Sequence, residues 1–359
     1  MGKKALVTGA NGFIGSHLVE WLQERGDHPI AMVRKTSNVA NLEASGAEIR
    51  HGSLSNLDSL IAAMEGVDIV YHVAGITAAF TPEALREVNA AGTSRIFEAA
   101  SKARNGPQRV VYVSSLEAAG PSHHDLARAE HHRPAPFTWY GASKFGGEQA
   151  AWEAAQTLAD LDVVIVRPPA VYGPRDQDML QMIQSANWRL VARPGFRDTW
   201  MSAIHSHDLV RGIALAGDRG LALPKSPLDH VLSGGGHDHH EELDDKAHPV
   251  GQGIYFFDDG GRHSIKSFGH EAAAALGKRA VTLPVPAALG WTGAFFAELF
   301  GRITGKAPAF NRDKHRASVA SGWWCDSSRA RAELGFAPEF TLPEGLEHTV
   351  RWLRDNKVL

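Results

Sequence analysis

TGANGFIG, residues 8–15, is the stretch on which the fold turns. The apolar run KALV before it reads as a strand, and FIGSHLVEWLQERG after it has helical periodicity and stops at a glycine. Gly9, Gly12 and Gly15 therefore stand three apart where a strand gives way to a helix. Glycine there permits a tight turn and lets the backbone approach a ligand that any Cβ would keep away. The helix start offers unpaired N–H groups and a partial positive charge, which suit a pyrophosphate. Eight residues alone are equally well read as a plain glycine-rich turn, so the surrounding chain has to decide.

That chain alternates strand and helix. PIAMVR (29–34), AEIRHG (47–52), VDIVYHVAG (67–75), RVVYVSS (109–115) and DVVIVRPPAVYG (162–173) read as further strands. SNLDSLIAAMEG (55–66), TPEALREVNAAGTSRIFEAASKA (81–103) and YGASKFGGEQAAWEAAQTLA (140–159) read as helices between them. Such alternation implies right-handed βαβ units, hence an α/β fold with a doubly wound, parallel Rossmann sheet. Residues 1–175 are the expected dinucleotide-binding domain, with its last strands continuing beyond. Residues 176–359 are the expected smaller, substrate-binding C-terminal region, carrying an inserted His- and Gly-rich loop near 224–252.

Composition narrows the class. Of the 359 residues 43% are hydrophobic and 21% charged, as in an ordinary globular enzyme, and the formal charge of −3 gives no field for nucleic acid or an anionic surface. Cys325 is the only cysteine, so an intrachain disulfide is ruled out and a reducing cytoplasm is the expected compartment. The N-terminal MGKKALVTGA lacks the apolar core of a signal peptide, and LPVPAALGWTGAFFAELFGRI (283–303) is too interrupted by prolines, Glu298 and Arg302 for a stable membrane span. A small-molecule substrate is the expected partner, and a homodimer stays open.

The end of the second strand bears on the cofactor. A carboxylate there would grip the 2′-hydroxyl of NAD(H), whereas arginine suits the 2′-phosphate of NADP(H). The chain reads MVRKTSN, with Arg34 and Lys35 in the acid's place. NADP(H) is thus favoured over NAD(H), although Arg34 stacked on adenine would read no phosphate.

Taken together, TGANGFIG, DIVYHVAG, VNAAGTSRIFEAA, RVVYVSSLEAAG, YGASK, RPPAVYGPRD and HSHDLVRGIALA, in this order, resemble the extended short-chain dehydrogenase/reductase superfamily across essentially the whole chain. The resemblance implies a seven-stranded sheet and a catalytic group of Ser115, Tyr140 and Lys144. Ser115 is preferred to Ser114 because the family's serine lies five residues before the glycine, here Gly120. It implies cofactor contacts from Thr8, Gly9, Asn11, Gly12, Phe13, Ile14 and Gly15, from Ala74 and Gly75 beside the ribose, from Tyr140 and Lys144, and from Pro168 to Val171 beside the carboxamide. Ser53 stands where the family often has an acid facing adenine, so contact by Ser53 and Leu54 there falls to the backbone.

The chemistry agrees with those residue types. Reducing a carbonyl leaves negative charge on oxygen, which needs a hydrogen bond and then a proton. Ser115 can polarise the carbonyl, Tyr140 can deliver the proton, and an ammonium at Lys144 would lower the pKa of Tyr140 and hold the nicotinamide ribose. Gly141, Ala142 and Ser143 between them keep the helix clear for cofactor and substrate. His72, in an apolar strand, reads as a hydrogen-bonded core histidine.

For the substrate, sugar-nucleotide enzymes of the family hold a diphosphate with an arginine seven positions before the aspartate here numbered Asp208, and that position is Met201. Arg175, Arg193 and Arg197 remain as candidate anion binders. The tail resembles the 3β-hydroxysteroid dehydrogenase-like and dihydroflavonol reductase-like branch, in which the apolar helix helps to cover a hydrophobic ketone or alcohol. The same segment is equally well read as an amphipathic helix packed on the domain. An oxidoreductase on an apolar ketone/secondary alcohol pair is the leading expectation, a nucleotide-sugar epimerase or dehydratase the alternative, and a silent cofactor sensor the third. His237, Asp238, His239 and His240 have a metal-binding composition, but glycine and surplus charge suit a surface loop and the reaction needs no metal.

Overall fold

The computed structural model describes residues 2–225, 251–305, 308 and 310–359. Six strands of the central sheet come from the first half of the chain: β1 (Lys4–Thr8), β2 (His28–Val33), β3 (Glu48–His51), β4 (Ile69–His72), β5 (Arg109–Val113) and β6 (Asp162–Arg167). The seventh, Ile254–Phe256, arrives from the second half and pairs with β6. Every pairing is parallel, in the order β3-β2-β1-β4-β5-β6-Ile254–Phe256. The strand order reverses between β1 and β4, which leaves a crevice beyond their C-terminal ends, the usual place for a ligand in this architecture.

The alternating burial of the strands builds two cores. Ala5, Val7, Val111 and Val164 face one side, with Leu18 and Leu22 of α1 (Phe13–Glu24), Leu42 of α2 (Ala40–Ser45), and Leu209 and Ile213 of the helix Ser206–Arg219. Leu6, Val70, Tyr112 and Ile165 face the other, beneath α3 (Leu57–Met64), α5 (Gly92–Lys102) and α7 (Trp139–Thr157). A strand buried on both faces needs apolar residues at odd and even positions alike, which is why these segments read as continuous apolar runs.

Two segments differ from the sequence expectation. Pro168 and Pro169 end β6, and Ala170–Tyr172 forms a separate short strand that pairs with Ala203–His205. Proline lacks the N–H that would continue the ladder. The long helix expected over 81–103 is α4 (Pro82–Arg86), a π-helical turn (Glu87–Ala91) and α5 in succession. A third core gathers Tyr172, just beyond β6, with Ile183, Met201, Phe268, Leu346 and Val350 of the later chain. Among the described residues no helix is long and apolar enough to cross a membrane.

One buried ion pair ties α7 to the sheet. Arg167 of β6 donates from Nε to Glu148 Oε1 at 2.9 Å and from a terminal nitrogen to Oε2 at 2.6 Å, with 1% and 0% of the two side chains exposed. Ser114 Oγ donates to the same Glu148 Oε1 at 2.6 Å. Removing one partner strands the other charge, so Arg167→Met alone should lower stability by about 3–5 kcal/mol, and adding Glu148→Leu should recover most of that. Urea unfolding followed by circular dichroism measures both; equal losses in the single and double variants would contradict the account.

Candidate active site

The glycine turn is built as the sequence suggests, but each glycine has its own reason. Gly9 has φ +66°, and a Cβ there would lie 2.8 Å from the Cα of Ala74, just beyond β4. At Gly15 a Cβ would meet the Gly9 carbonyl oxygen at 2.2 Å, so this residue allows α1 to seat on the turn. Gly12 lies between them with extended backbone, exposed, and with only the Gly9 carbonyl within reach of a Cβ, at 3.2 Å. Gly12 is also the N-cap of α1, and no side chain caps that end. The result is a helix start whose N–H groups are left for an outside acceptor, with Asn11 exposed beside it and Phe13 and Ile14 on a cavity wall. These features fit a dinucleotide pyrophosphate.

Thr8 is placed differently from a ligand contact. It is fully buried, its hydroxyl accepts the Ala74 N–H at 3.0 Å, and it lies 2.8 Å from His72 Nδ1. His72 Nε2 lies 3.0 Å from Thr93 Oγ1, which donates to the Asn89 carbonyl at 2.7 Å. With Thr8 donating to Nδ1 and Nε2–H donating to Thr93, every hydrogen atom in the chain has one acceptor. Burial and the nearby Lys144 hold the imidazole down to about 3, so it is neutral, a core histidine rather than a catalytic one.

The π-helical turn places Asn89 beneath the cavity. Its Oδ1 accepts the Ile76 N–H at 2.9 Å, and its Nδ2 donates to the Ile76 carbonyl and to Ser143 Oγ, both at 2.9 Å. Ser143 in turn donates to the Tyr140 carbonyl at 2.7 Å. Asn89 thus links the loop after β4, which carries Gly75, to the helix that carries Tyr140. An asparagine in mid-helix was the only sequence signal for it.

Ser115, Tyr140 and Lys144 come together on one wall of a cavity of about 860 Å³. Ser115 caps α6 (Leu116–Ala119), whereas Ser114 is held by Glu148, which distinguishes the two serines physically. Tyr140 lies in the first turn of α7, where Thr138 Oγ1 accepts the Gly141 N–H at 2.9 Å. Asp313, from the far end of the chain, accepts the Trp139 and Tyr140 N–H groups at 2.8 and 3.0 Å. Burial and the carboxylates of Glu117 and Asp178 hold the Tyr140 phenol well above its usual range, and a hydrogen bond from Ser115 pulls the other way.

Lys144 departs from the role of tyrosine tuner. Its Nζ donates to the Val113 carbonyl at 2.7 Å and lies 4.5 Å from the centre of the Tyr112 ring. Burial lowers it to about 7, with Glu148 opposing. The cation over the Tyr140 ring is instead Lys314, at 5.4 Å. The small residues between Tyr140 and Lys144 also serve the protein more than a ligand. A Cβ on Gly141 would strike the Glu117 carbonyl at 2.4 Å, and Ser143 is buried against Asn89.

Gly75 borders the cavity, Ala74 before it is turned to Gly9 and bonded to Thr8, and Pro168 and Val171 line the cavity from the opposite strand end. Arg34 and Lys35 are exposed just past β2, with no ion pair among the described residues. Ser53 and Leu54 follow β3; the Ser53 hydroxyl lies 2.9 Å from that of Ser55, and the Leu54 carbonyl accepts from Arg95. The remaining cavity wall was not legible in the sequence. It is largely apolar, with Met179, Met182, Val191, Met201, Ile265 and Trp323 drawn from five separate stretches of the second half. Arg175 is paired with Glu20 and Arg193 with Asp198, leaving Arg197 exposed. His237, Asp238, His239 and His240 lie outside the described residues.

Comparison with known proteins agrees with this geometry. A ceramide reductase of Caulobacter vibrioides is 29% identical over 348 residues, covering 97% of this chain and 93% of that protein. A sterol demethylase protein B of Methylococcus capsulatus is 37% identical over 180 residues, 48% of this chain and 52% of the other. Among solved structures, a dTDP-glucose 4,6-dehydratase from Streptomyces venezuelae with NAD bound superposes with a TM-score of 0.73 at 23% identity, over 99% and 98% of the two chains, which is a likeness of fold. The family model for the NAD dependent epimerase/dehydratase family matches residues 5–226, and the chain, with its parallel sheet, glycine turn and crevice, belongs to that enzyme family.

Proposed function

We propose that this chain is an NADP(H)-dependent reductase that interconverts a ketone and a secondary alcohol on an apolar substrate. The observation that carries the reading is a tyrosine hydroxyl beside a serine hydroxyl on the wall of a roughly 860 Å³ cavity whose lining is otherwise mainly apolar. The names of the ceramide and sterol relatives point to the same kind of substrate. Against a nucleotide-sugar substrate stand Met201, buried where a diphosphate-binding arginine would be needed, and the engagement of Arg175 and Arg193 by acids.

The bound nicotinamide would supply or accept the hydride. The protein's own part is polar and positional. Ser115 Oγ donates a hydrogen bond to the substrate oxygen, and Tyr140 gives that oxygen its proton as charge develops. The phenol's raised pKa keeps it protonated and suits the reductive direction. Lys144 would hold the nicotinamide ribose, the open N-terminus of α1 the pyrophosphate, and Arg34 with Lys35 the 2′-phosphate.

Tyr140→Phe keeps the ring and removes only the hydroxyl, so turnover should fall by about 10²–10⁴-fold while NADPH affinity is largely kept. Lys144→Met should harm both, and Ser115→Ala should cost less than either, with effects that do not add because the groups serve one transition state. A screen of apolar ketones, read as loss of reduced-nicotinamide absorbance, supplies the assay; wild-type turnover by Tyr140→Phe would end the assignment.

Arg34→Asp turns a charge-assisted contact into a repulsion, so it should weaken NADPH far more than NADH in calorimetric titration. A wild-type protein that prefers NADH would refute the NADP(H) reading.

Lys144 also makes a stability prediction. Folding lowers it from 10.5 to about 7, so between those values the unfolded chain binds more protons and stability rises with pH. In Lys144→Met that part of the slope disappears. The variant should gain melting temperature relative to the wild type at neutral pH, and the gain should shrink as pH approaches the lysine's ordinary value. A difference that stays constant with pH would show that Lys144 is not buried at such a cost.

A further inference from the structure

The helix Ala287–Thr304 is turned inside out. An amphipathic helix that packs on its own domain buries its large apolar side chains. This one buries Ala294 and Gly301, whereas Leu289, Trp291, Phe295, Phe296, Leu299, Phe300 and Ile303 are exposed, Phe296 by 60%, Phe300 by 67% and Ile303 by 78%. The strand Val281–Val285 that leads into it pairs with Leu190–Pro194, and Val281, Leu283 and Leu190 are exposed there, next to Trp188 at 80%. So much apolar surface gathered on one part of a folded chain marks a contact with something apolar.

The charges around the surface say what. Arg189, Arg197, Arg279 and Arg302 are exposed in the same segments. Each acid of those segments is already engaged: Asp198 by Arg193, and Glu298 by the Arg312 side chain and N–H. The surface is therefore an apolar face with a cationic rim. That pairing fits the interface of an anionic bilayer, where aromatic and aliphatic side chains enter the acyl boundary and arginines meet lipid phosphates. The face is also continuous with the cavity, since Leu190, Leu289 and Phe310 are at once exposed and part of the cavity lining.

We infer that the helix Ala287–Thr304, with the neighbouring strand pair, is a surface that lies on an anionic phospholipid bilayer without crossing it and sets the mouth of the cavity against the lipid. The inference concerns binding and stands apart from the reaction assigned to the site.

Co-sedimentation of the full chain with vesicles of phosphatidylcholine alone, or of phosphatidylcholine with phosphatidylglycerol, tests it. The wild type should sediment with the phosphatidylglycerol vesicles, less so as salt rises. Phe296→Glu with Phe300→Glu should weaken that binding by about tenfold or more. Arg302→Glu should reduce the preference for phosphatidylglycerol. Neither change touches the cavity wall, so NADPH binding and circular dichroism should stay as in the wild type. As a readout that needs no disruptive variant, brominated lipid should quench tryptophan fluorescence, and less so in Trp291→Phe. A wild type that stays in the supernatant with every vesicle overturns the inference, as does a Phe296→Glu/Phe300→Glu protein that binds like the wild type. A concentration-dependent dimer in sedimentation velocity, lost in that variant and seen without vesicle binding, would give the face to a second copy of the chain instead.

Discussion

Three pieces of backbone meet within van der Waals contact where β1 ends, and the site is built around that meeting. Gly9 turns in the left-handed region against Ala74, and Gly15 lets α1 sit on the Gly9 carbonyl. A Cβ at either position would push β4 or α1 away. The approach fixes where the first helix points, and hence where its uncapped N–H groups present themselves. It also carries Gly75 to the cavity floor. The constraint is steric and short-ranged, so it does not soften with salt or pH.

Beneath this turn a polar chain runs through the core. Thr8, His72, Thr93 and Asn89 are buried and hydrogen-bonded in sequence, and Asn89 passes the connection to Ser143 and so to the Tyr140 turn. Buried polar groups are costly unless every donor and acceptor is matched, and a matched network fixes one arrangement. Here it sets the spacing between the loop after β4 and the start of α7, which a purely apolar core would leave to packing alone.

The second half of the chain does more than cover the crevice. It returns to the sheet as its seventh strand, and through Asp313 it grips the first N–H groups of α7. Lys314 then stands over the Tyr140 ring, and the electrostatics at the phenol come from Glu117 and Asp178 as much as from any residue of its own motif. The region that shapes the cavity thus also anchors the residue at its wall.

By itself the sequence determined the layout of the sheet and the placement of the first-half site. Parallel strands buried on both faces must be apolar throughout, helices between them must be amphipathic, and a left-handed turn at a strand end requires glycine; each of these is a local rule with a local signature. Ser115, Tyr140 and Lys144 were named by resemblance to a family pattern, and one strand end and one helix start bring them to the same cavity. Only the tertiary structure decided what surrounds them. Asp313 lies far along the chain from the helix it caps, and nothing near it in sequence marks the contact. The cavity wall gathers single residues from separated segments, whose common facing is a product of packing. The turn of Lys144 toward Val113 and the outward face of the helix Ala287–Thr304 were likewise hidden. Apolar periodicity tells which residues share a face of a helix, but the space left by neighbouring elements decides which face the domain buries.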